Sequence, residues 1–230
     1  MRKDLWYIFG AIVLGTVFCS QSSALSFSAC FATVPKLQVS VQRQADENRK
    51  KADENRKKAD GKRKKADAEL LARALDYFNS QKYHECLLVL QPLDKRYKLN
   101  PRYRAYLGIC LYQEWDYEAA VKCLDDAIPQ LEGFAPQERS IYYWTDAESY
   151  FNLQRYQEAM PLYEKMLGLC HDNEKPDAFY RLGFCHLFLS EKGKAKECFE
   201  QALLGYLKYR NNPSEKARIA QIKHMIQGLK

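Results

Sequence analysis

The sequence lacks the short motifs that hold catalytic groups. No G-x-S-x-G nucleophile elbow, glycine-rich phosphate loop or H-E-x-x-H zinc motif occurs among its 230 residues. The histidines His84, His171, His186 and His224 are scattered over a predicted turn, a loop, a core position and the C-terminal tail. We therefore predict that the chain is not an enzyme and has no catalytic residues, no metal site and no cofactor.

The sequence also lacks any C-x-x-C pair, although it contains eight cysteines. Cys170 and Cys185 each precede a histidine, but neighbouring side chains on a helix point about 100° apart, which is poor geometry for one metal ion. The cysteines are therefore predicted to pack as small residues between helices. Their disulfide state stays open, because oxidising compartments favour disulfides.

The sequence also lacks a long apolar run near the N-terminus. The clean apolar segment extends only from Leu5 to Cys19, which is shorter than the roughly 20 residues that a spanning helix needs. It follows a short basic segment and precedes small residues ending at Ala24, a pattern typical of an export signal. Residues 1–29 are therefore interpreted as a signal peptide or a membrane anchor.

Two alternatives to cleavage near Ala24 share this segment. Cys30 follows a loose lipobox and is a possible lipidation site, and the absence of charge from Leu5 to Pro35 is compatible with an uncleaved anchor. Residues 30–41 are predicted to be a linker. Each alternative predicts an exported protein at or beyond a membrane, in the periplasm or associated with the cell envelope.

The net charge of +7 is unevenly distributed along the chain. Residues 41–67 contain eleven basic and six acidic residues, and the last residues from 213 onwards are also basic. The region between them is slightly acidic. The basic segment carries acids in every copy of its repeat and has no basic face, so no nucleic-acid partner is predicted.

What the sequence does contain is a repeat with a period near 34 residues after residue 68. In its second copy, the small residues Gly108, Ala120 and Ala127 alternate with large ones such as Leu124, and Tyr117 lies at the turn. The other copies place their corresponding turn residues at Tyr83, Tyr156 and Lys192. Small residues at this spacing let two antiparallel helices approach closely, while the large ones fill the layer between hairpins.

This pattern resembles the tetratricopeptide repeat over about residues 68–206. The resemblance implies an all-α fold, in which residues 68–212 form an α-solenoid of four helix hairpins. Residues 213–230, with Pro213 behind an asparagine and apolar residues at helical spacing, are predicted to be a capping helix. The layout is similar to that of exported bacterial envelope scaffolds of this family.

The resemblance also implies a concave surface that is lined by the first helix of each hairpin and binds proteins. Its positions in this chain are Phe78, Arg102, Ile109, Tyr112, Trp144, Phe151, Tyr180, Phe184 and Phe188, with Ile141, Glu148 and Asp177 beside them. A groove with this many aromatic residues is suited to binding an apolar or aromatic peptide or an amphipathic helix. The alternative is that the chain's own flanking helix fills the groove and these positions are core.

Residues 42–67 repeat a charged heptad, with alanine at Ala45, Ala52, Ala59 and Ala66. In a coiled coil, these heptads would form a seam of alanine and asparagine, which buries too little apolar surface to hold two helices together. A monomer is therefore favoured. Acid-before-base pairs four residues apart contribute about 0.2–0.5 kcal/mol each and can support an isolated helix.

The heptads therefore predict a lone charged helix from near Gln42 that continues into the first repeat and ends near Asn79. It would extend about 37 Å from Gln42 to Ala66, with Gly61 as its weakest point. The implied function is a spacer between membrane and repeats. Together these features predict an envelope adaptor that captures a protein partner. The alternative is a membrane-anchored module whose basic heptad helix contacts anionic lipid, with the repeats as a structural body.

Overall fold

The structure is a computed structural model that describes residues 34–229, with side chains from residue 42. The predicted signal or anchor segment, the proposed lipidation site Cys30 and the first residues of the predicted linker lie outside this range. Within it, none of the helices is both long and apolar enough to cross a membrane.

The described residues form nine α-helices, and short 3-10 turns precede α5 and α9. The helices are α1 Val34–Asn79, α2 Tyr83–Tyr97, α3 Pro101–Gln113, α4 Tyr117–Ala127, α5 Pro136–Asn152, α6 Tyr156–Leu167, α7 Lys175–Phe188, α8 Lys192–Tyr209 and α9 Lys216–Gly228. This confirms the predicted all-α class.

The chain divides into two compact units between Ala59 and Asp60. In the first unit, the described residues all belong to α1, and every side chain from residue 42 to 59 is exposed. Helix α1 ends at Asn79 as predicted, but residues 34–41 are helical and not a linker. Pro35 lies in the first turn, where a proline is compatible with a helix, and no glycine or further proline interrupts the next residues.

The predicted ladder of charge pairs along α1 is not formed. From residue 42 to 66, only Asp60 and Arg63 come within ion-pair distance, with 3.2 Å between carboxylate oxygen and guanidinium nitrogen. The predicted pairs Asp46–Lys50 and Glu47–Lys51 stay apart. An exposed ion pair gains little and costs side-chain entropy, so the helix does not depend on it.

The second unit contains four helix hairpins in succession, which confirms the predicted solenoid. Each helix from α2 to α9 packs against the next one in the chain. The C-terminal part of α1 joins this series through the buried Ala74 and the partly buried Leu70 and Tyr77. Helix α9 closes the end of the array, with Ile219 and Ile222 buried against α8.

The two helices of a hairpin touch at the small residues that the repeat pattern singles out. A Cβ atom built on Gly108 would lie 2.6 Å from Cγ of Leu124, and one built on Gly183 would lie 2.6 Å from Cε1 of Phe199. Neither position has room for a methyl group. The glycines therefore set the distance between α3 and α4 and between α7 and α8.

The four turns inside the hairpins share one backbone conformation. In each, the residue seven positions after the small residue of the first helix has a positive φ of 57° to 65°. The small residues are Ala74, Gly108, Ala147 and Gly183, and the residues with positive φ are Gln81, Trp115, Gln154 and Ser190. The N–H of the residue with positive φ donates to the carbonyl three residues earlier, and the next N–H donates to the carbonyl five residues earlier. This is a helix C-cap of the Schellman type, made without glycine.

An aspartate of the heptad repeat ties α1 to the second helix. Asp46 and Asp53 are exposed, but Asp67, the equivalent residue of the fourth heptad, is buried. Arg96 donates to both Asp67 oxygens at 2.9 and 3.1 Å, and the Tyr97 hydroxyl also donates to Asp67. The Tyr97 hydrogen bond, followed by the Arg96 contact, lowers the pKa of Asp67. The carboxylate thereby fixes the rotation of α1 against α2.

The positive φ values predict that glycine stabilises a turn. Gln154→Gly should raise the free energy of unfolding by about 0.5–1 kcal/mol, because Gln154 occupies a left-handed conformation that glycine adopts without strain. Urea denaturation followed by circular dichroism measures the change. The matched control is Gln157→Gly in the adjoining helix, which should lower the free energy by about the same amount. A loss of stability in both variants would contradict the turn argument.

Candidate protein-binding groove

Trp144 lines two cavities on the surface formed by the first helices of the third and fourth hairpins. Its half-buried indole packs edge-on against the buried Tyr163 ring, with 5.6 Å between ring centroids. Both cavities also reach Asp177 on α7. We name this surface the Trp144 groove, and its residues are Ser140, Ile141, Trp144, Met166, Glu174, Asp177, Tyr180, Arg181 and Arg218.

The first cavity is mainly apolar. It has a volume of about 250 Å³ and lies between Ile141, Trp144 and Met166, with Glu174 at its edge. Ile141 is 53% exposed and lines this cavity together with Trp144 and Met166. This cavity can take up an apolar side chain from a partner.

The second cavity is polar and has a volume of about 280 Å³. Arg181 and Arg218 reach it from α7 and α9, and Tyr180 and Asp177 complete the wall beside Trp144. The groove therefore presents an apolar part and a hydrogen-bonding part, and Trp144 lines both. Such a division is typical of interfaces with an apolar centre and a polar rim.

A buried carboxylate holds Arg181 in position. Nη2 of Arg181 donates to Oε2 of Glu148 at 2.6 Å, and the Tyr163 hydroxyl donates to Oε1 of the same residue at 2.6 Å. The guanidinium also lies over the Phe151 ring, 4.6 Å from its centroid. Burial, followed by the nearby Glu148 charge, raises the pKa of Tyr112 to about 12, so this phenol stays protonated.

A second network holds Arg218. Its Nη1 donates to Oδ1 of Asp177 at 3.1 Å and to the Tyr206 hydroxyl at 3.0 Å, and its guanidinium stacks over Tyr180 at 5.2 Å. Asp177 also accepts from Tyr206 and Arg210. The carboxylates thus stabilise both arginines of the groove and leave it close to electrically neutral.

Helix α5, which carries Trp144, contains other buried polar groups. The hydroxyls of Thr145 and Ser149 donate to carbonyls one turn earlier, at 2.9 and 2.8 Å. Asp146 is buried, and neither of its carboxylate oxygens has a hydrogen-bond partner among the described residues. Burial, followed by the neighbouring Asp125, raises the pKa of Asp146 to about 8, so this side chain is largely protonated at neutral pH.

Seven of the predicted groove residues lie in or beside the Trp144 groove, since Ile141 and Asp177 line its cavities and Glu148 binds Arg181. Trp144 and Tyr180 also line its cavities, Phe151 packs under Arg181, and Tyr112 is close enough to Glu148 for its pKa to be raised. By contrast, Ile109 is only 6% exposed and belongs to the core, so the groove position predicted for it is corrected. Its side chain is enclosed because α5 packs on α3.

The remaining predicted residues lie elsewhere. Phe78 packs on Tyr106 with 4.4 Å between ring centroids, and the exposed Arg102 pairs with Glu138 at 2.7 Å. Phe184 is partly buried in the cluster that α9 closes, as the alternative of a self-filled groove anticipated for this part of α7. Phe188 is 52% exposed at the end of α7 and stacks on Tyr156.

The sequence-based set of groove positions lacks five residues of the groove, which are Ser140, Met166, Glu174, Arg181 and Arg218. Met166 is a second-helix position, which the repeat pattern predicts for the core, and Arg181 lies one residue beyond a predicted groove position. The repeat spacing predicts a groove position for Tyr180, the neighbour of Arg181, and this is the one indication in the sequence that Arg181 lies near the groove. Arg218 has no sequence signal, because it reaches the groove only through the packing of α9 on the last hairpin.

The chain resembles known proteins in one repeat and in its fold. The family profile described as Tetratricopeptide repeat matches residues 176–204. Among curated protein sequences, none matches significantly.

Several solved structures share the fold of this chain. MamA from MSR-1 aligns with a TM-score of 0.52 and 13% identity, covering 71% of this chain and 98% of that one. MamA from AMB-1 gives 0.52 and 13%, covering 71% and 91%. MamA from residue 41 to its end, from Desulfovibrio magneticus RS-1, gives 0.50 and 15%, covering 71% and 92%. Identities this low establish a shared fold and nothing further.

The buried pair of Glu148 and Arg181 predicts strong coupling. Arg181→Met should lower the free energy of unfolding by about 3 kcal/mol, because it leaves a buried carboxylate without its charged partner. Adding Glu148→Gln should restore at least half of this loss, since the amide still accepts from Tyr163. Urea denaturation of the two single variants and the double variant measures the coupling. As control, Arg155→Met removes an exposed pair and should cost less than about 1 kcal/mol. Losses that simply add would contradict the coupling.

Proposed function

We propose that the chain is a non-catalytic scaffold of tetratricopeptide-like repeats that binds a protein partner in the Trp144 groove. The ligand class is an apolar peptide or an amphipathic helix. The site of action is the cell envelope, with the N-terminal segment providing export or anchoring. No cofactor takes part.

The exposed Ile141 beside Trp144 is the observation that carries this proposal. An isolated exposed apolar residue needs no explanation, but Ile141 lines a cavity together with Trp144 and Met166. Tryptophan is strongly enriched among the residues that dominate binding energy. A partner side chain entering this cavity would remove both Ile141 and the indole from water.

The polar part of the groove supports an extended or helical peptide more than a small apolar molecule. Arg181 and Arg218 are each held by a carboxylate, so they can donate to a partner without first being reoriented. Hydrogen bonds of this kind at an interface rim fix register and orientation. The apolar cavity then supplies affinity and the polar one supplies specificity.

The heptad part of α1 is proposed as a spacer between the envelope membrane and the repeats. Its side chains from residue 42 to 59 are exposed and make no ion pair, so they are not used for packing within the described residues. Asp67 anchors the helix at its entry into the first hairpin. A repeated, exposed segment with one fixed end is suited to setting a distance.

Photo-crosslinking tests the groove. A benzoylphenylalanine placed at Ile141 of the full chain should crosslink a partner in envelope fractions through an apolar segment, which peptide mapping identifies. Trp144→Ala should lower the crosslink yield at least tenfold. Trp115→Ala is the matched control, because Trp115 is 79% exposed on a turn and lines neither cavity, and it should leave the yield unchanged. Equal yields in both variants would refute the groove as the binding site.

The spacer and the lipid-contact alternative predict different results from changes in the heptads. Exchanging acids for bases and bases for acids within residues 46–58 should leave the Ile141 crosslink yield within about twofold of the original, because a spacer depends on length. Deleting residues 52–58 removes one heptad and shortens the helix by about 10 Å while keeping Asp67 in place. If charge exchange abolishes the crosslink and the deletion does not, the basic helix acts by contacting anionic lipid.

A further inference from the structure

The repeat places a pair of equivalent buried residues at each junction between consecutive hairpins. One residue of each pair is the small residue near the start of the second helix of a hairpin. The other belongs to the first helix of the following hairpin, two positions after the small residue of that helix. The three pairs are Cys86 with Cys110, Ala120 with Ser149, and Ala159 with Cys185. All six residues have 0% exposure. The described junctions thus include one, between the first and second hairpins, with a thiol on both sides.

The two thiols of this junction lie close together. Cys86 on α2 and Cys110 on α3 belong to the same buried cluster, and these two helices pack against each other. The neighbouring Cys86 thiol and then burial raise the pKa of Cys110. Within residues 34–229, neither of the two cysteines forms a disulfide.

We propose that Cys86 and Cys110 are a disulfide-forming pair that links the first hairpin to the second when the chain meets a small disulfide oxidant. A disulfide needs about 2.0 Å between its sulfurs, and these two thiols already share one buried cluster on helices that pack against each other. The proposal rests on the packing of the junction and is independent of what the Trp144 groove binds.

The reaction is a pair of thiol–disulfide exchanges with oxidised glutathione. The Cys86 thiolate attacks one glutathione sulfur, forming a mixed disulfide and releasing one glutathione thiolate. The Cys110 thiolate then attacks Sγ of Cys86 and releases the second glutathione. In total, two protons and two electrons pass from the cysteines to the oxidant, which leaves as two reduced glutathione molecules. Since both thiols are fully buried, the junction must open locally, or the bond must form before the hairpins close.

The first hairpin is the place where such a bond has most effect. It is at the end of the array and has a neighbouring hairpin on one side only, and terminal repeats are the least supported in a solenoid. It also holds α1 through Asp67 and Arg96. A bond from α2 to α3 would keep this attachment joined to the rest of the second unit when the terminal hairpin opens.

The test uses the full chain in mild detergent, both folded and refolded, in buffers with different ratios of reduced to oxidised glutathione. Acid quenching, alkylation and peptide mass spectrometry then identify every disulfide. We expect the Cys86–Cys110 peptide to exceed any other linked pair at least tenfold, and the Tm to rise by about 5 °C or more. Cys110→Ser should remove both effects.

Two outcomes would overturn the proposal: no Cys86–Cys110 link even after refolding in oxidised glutathione, or preferential linkage of Cys185 with its half-buried neighbour Cys198. Ala159→Cys provides a positive control, because it places a thiol opposite Cys185 at the equivalent position of the third junction. If that variant gains a disulfide between its introduced thiol and Cys185 while Cys86 and Cys110 stay reduced, junctions of this kind allow a disulfide. The proposal for Cys86 and Cys110 then fails.

Discussion

The close approach of paired helices at Gly108 and Gly183 is the constraint on which the rest of the second unit depends. At each glycine the facing side chain, Leu124 or Phe199, occupies the space that a Cβ atom would need. Large residues opposite small ones fix the depth of a hairpin, and the remaining large residues fill the layer between hairpins. The surface of the first helices, and with it the Trp144 groove, is a consequence of this spacing.

Buried polar groups hold the side chains of the groove in place. Glu148 is enclosed by Tyr163 and Arg181, and Asp177 is enclosed by tyrosine and arginine side chains of α8 and α9. Removing carboxylates from water is costly unless their hydrogen bonds are replaced, and here several donors converge on each one. These networks hold Arg181 and Arg218 at the edge of a cavity before any partner arrives, which reduces the ordering cost of binding.

The heptad segment depends on a different constraint. Its charges from residue 42 to 59 neither pair nor pack, yet the last copy of the repeated aspartate, Asp67, is buried by Arg96 and Tyr97. Seven residues make nearly two helical turns, so successive copies fall within about 20° of the same direction. A whole heptad can therefore be gained or lost without turning the anchored aspartate away from α2. Repetition lets the length vary while the junction with the first hairpin keeps its geometry.

The sequence by itself determined the all-α class, the four hairpins, the capping helix and the end of α1 at Asn79, because small and large residues at helical spacing are local signals. Tertiary structure alone decided that Ile109 is enclosed, that Phe184 is covered by α9 and that Cys86 shares one buried cluster with Cys110. It also brought Arg218 to Asp177, 41 residues earlier. These contacts depend on the angles between successive hairpins, which arise from the packing of many side chains together and leave no periodic mark in the chain.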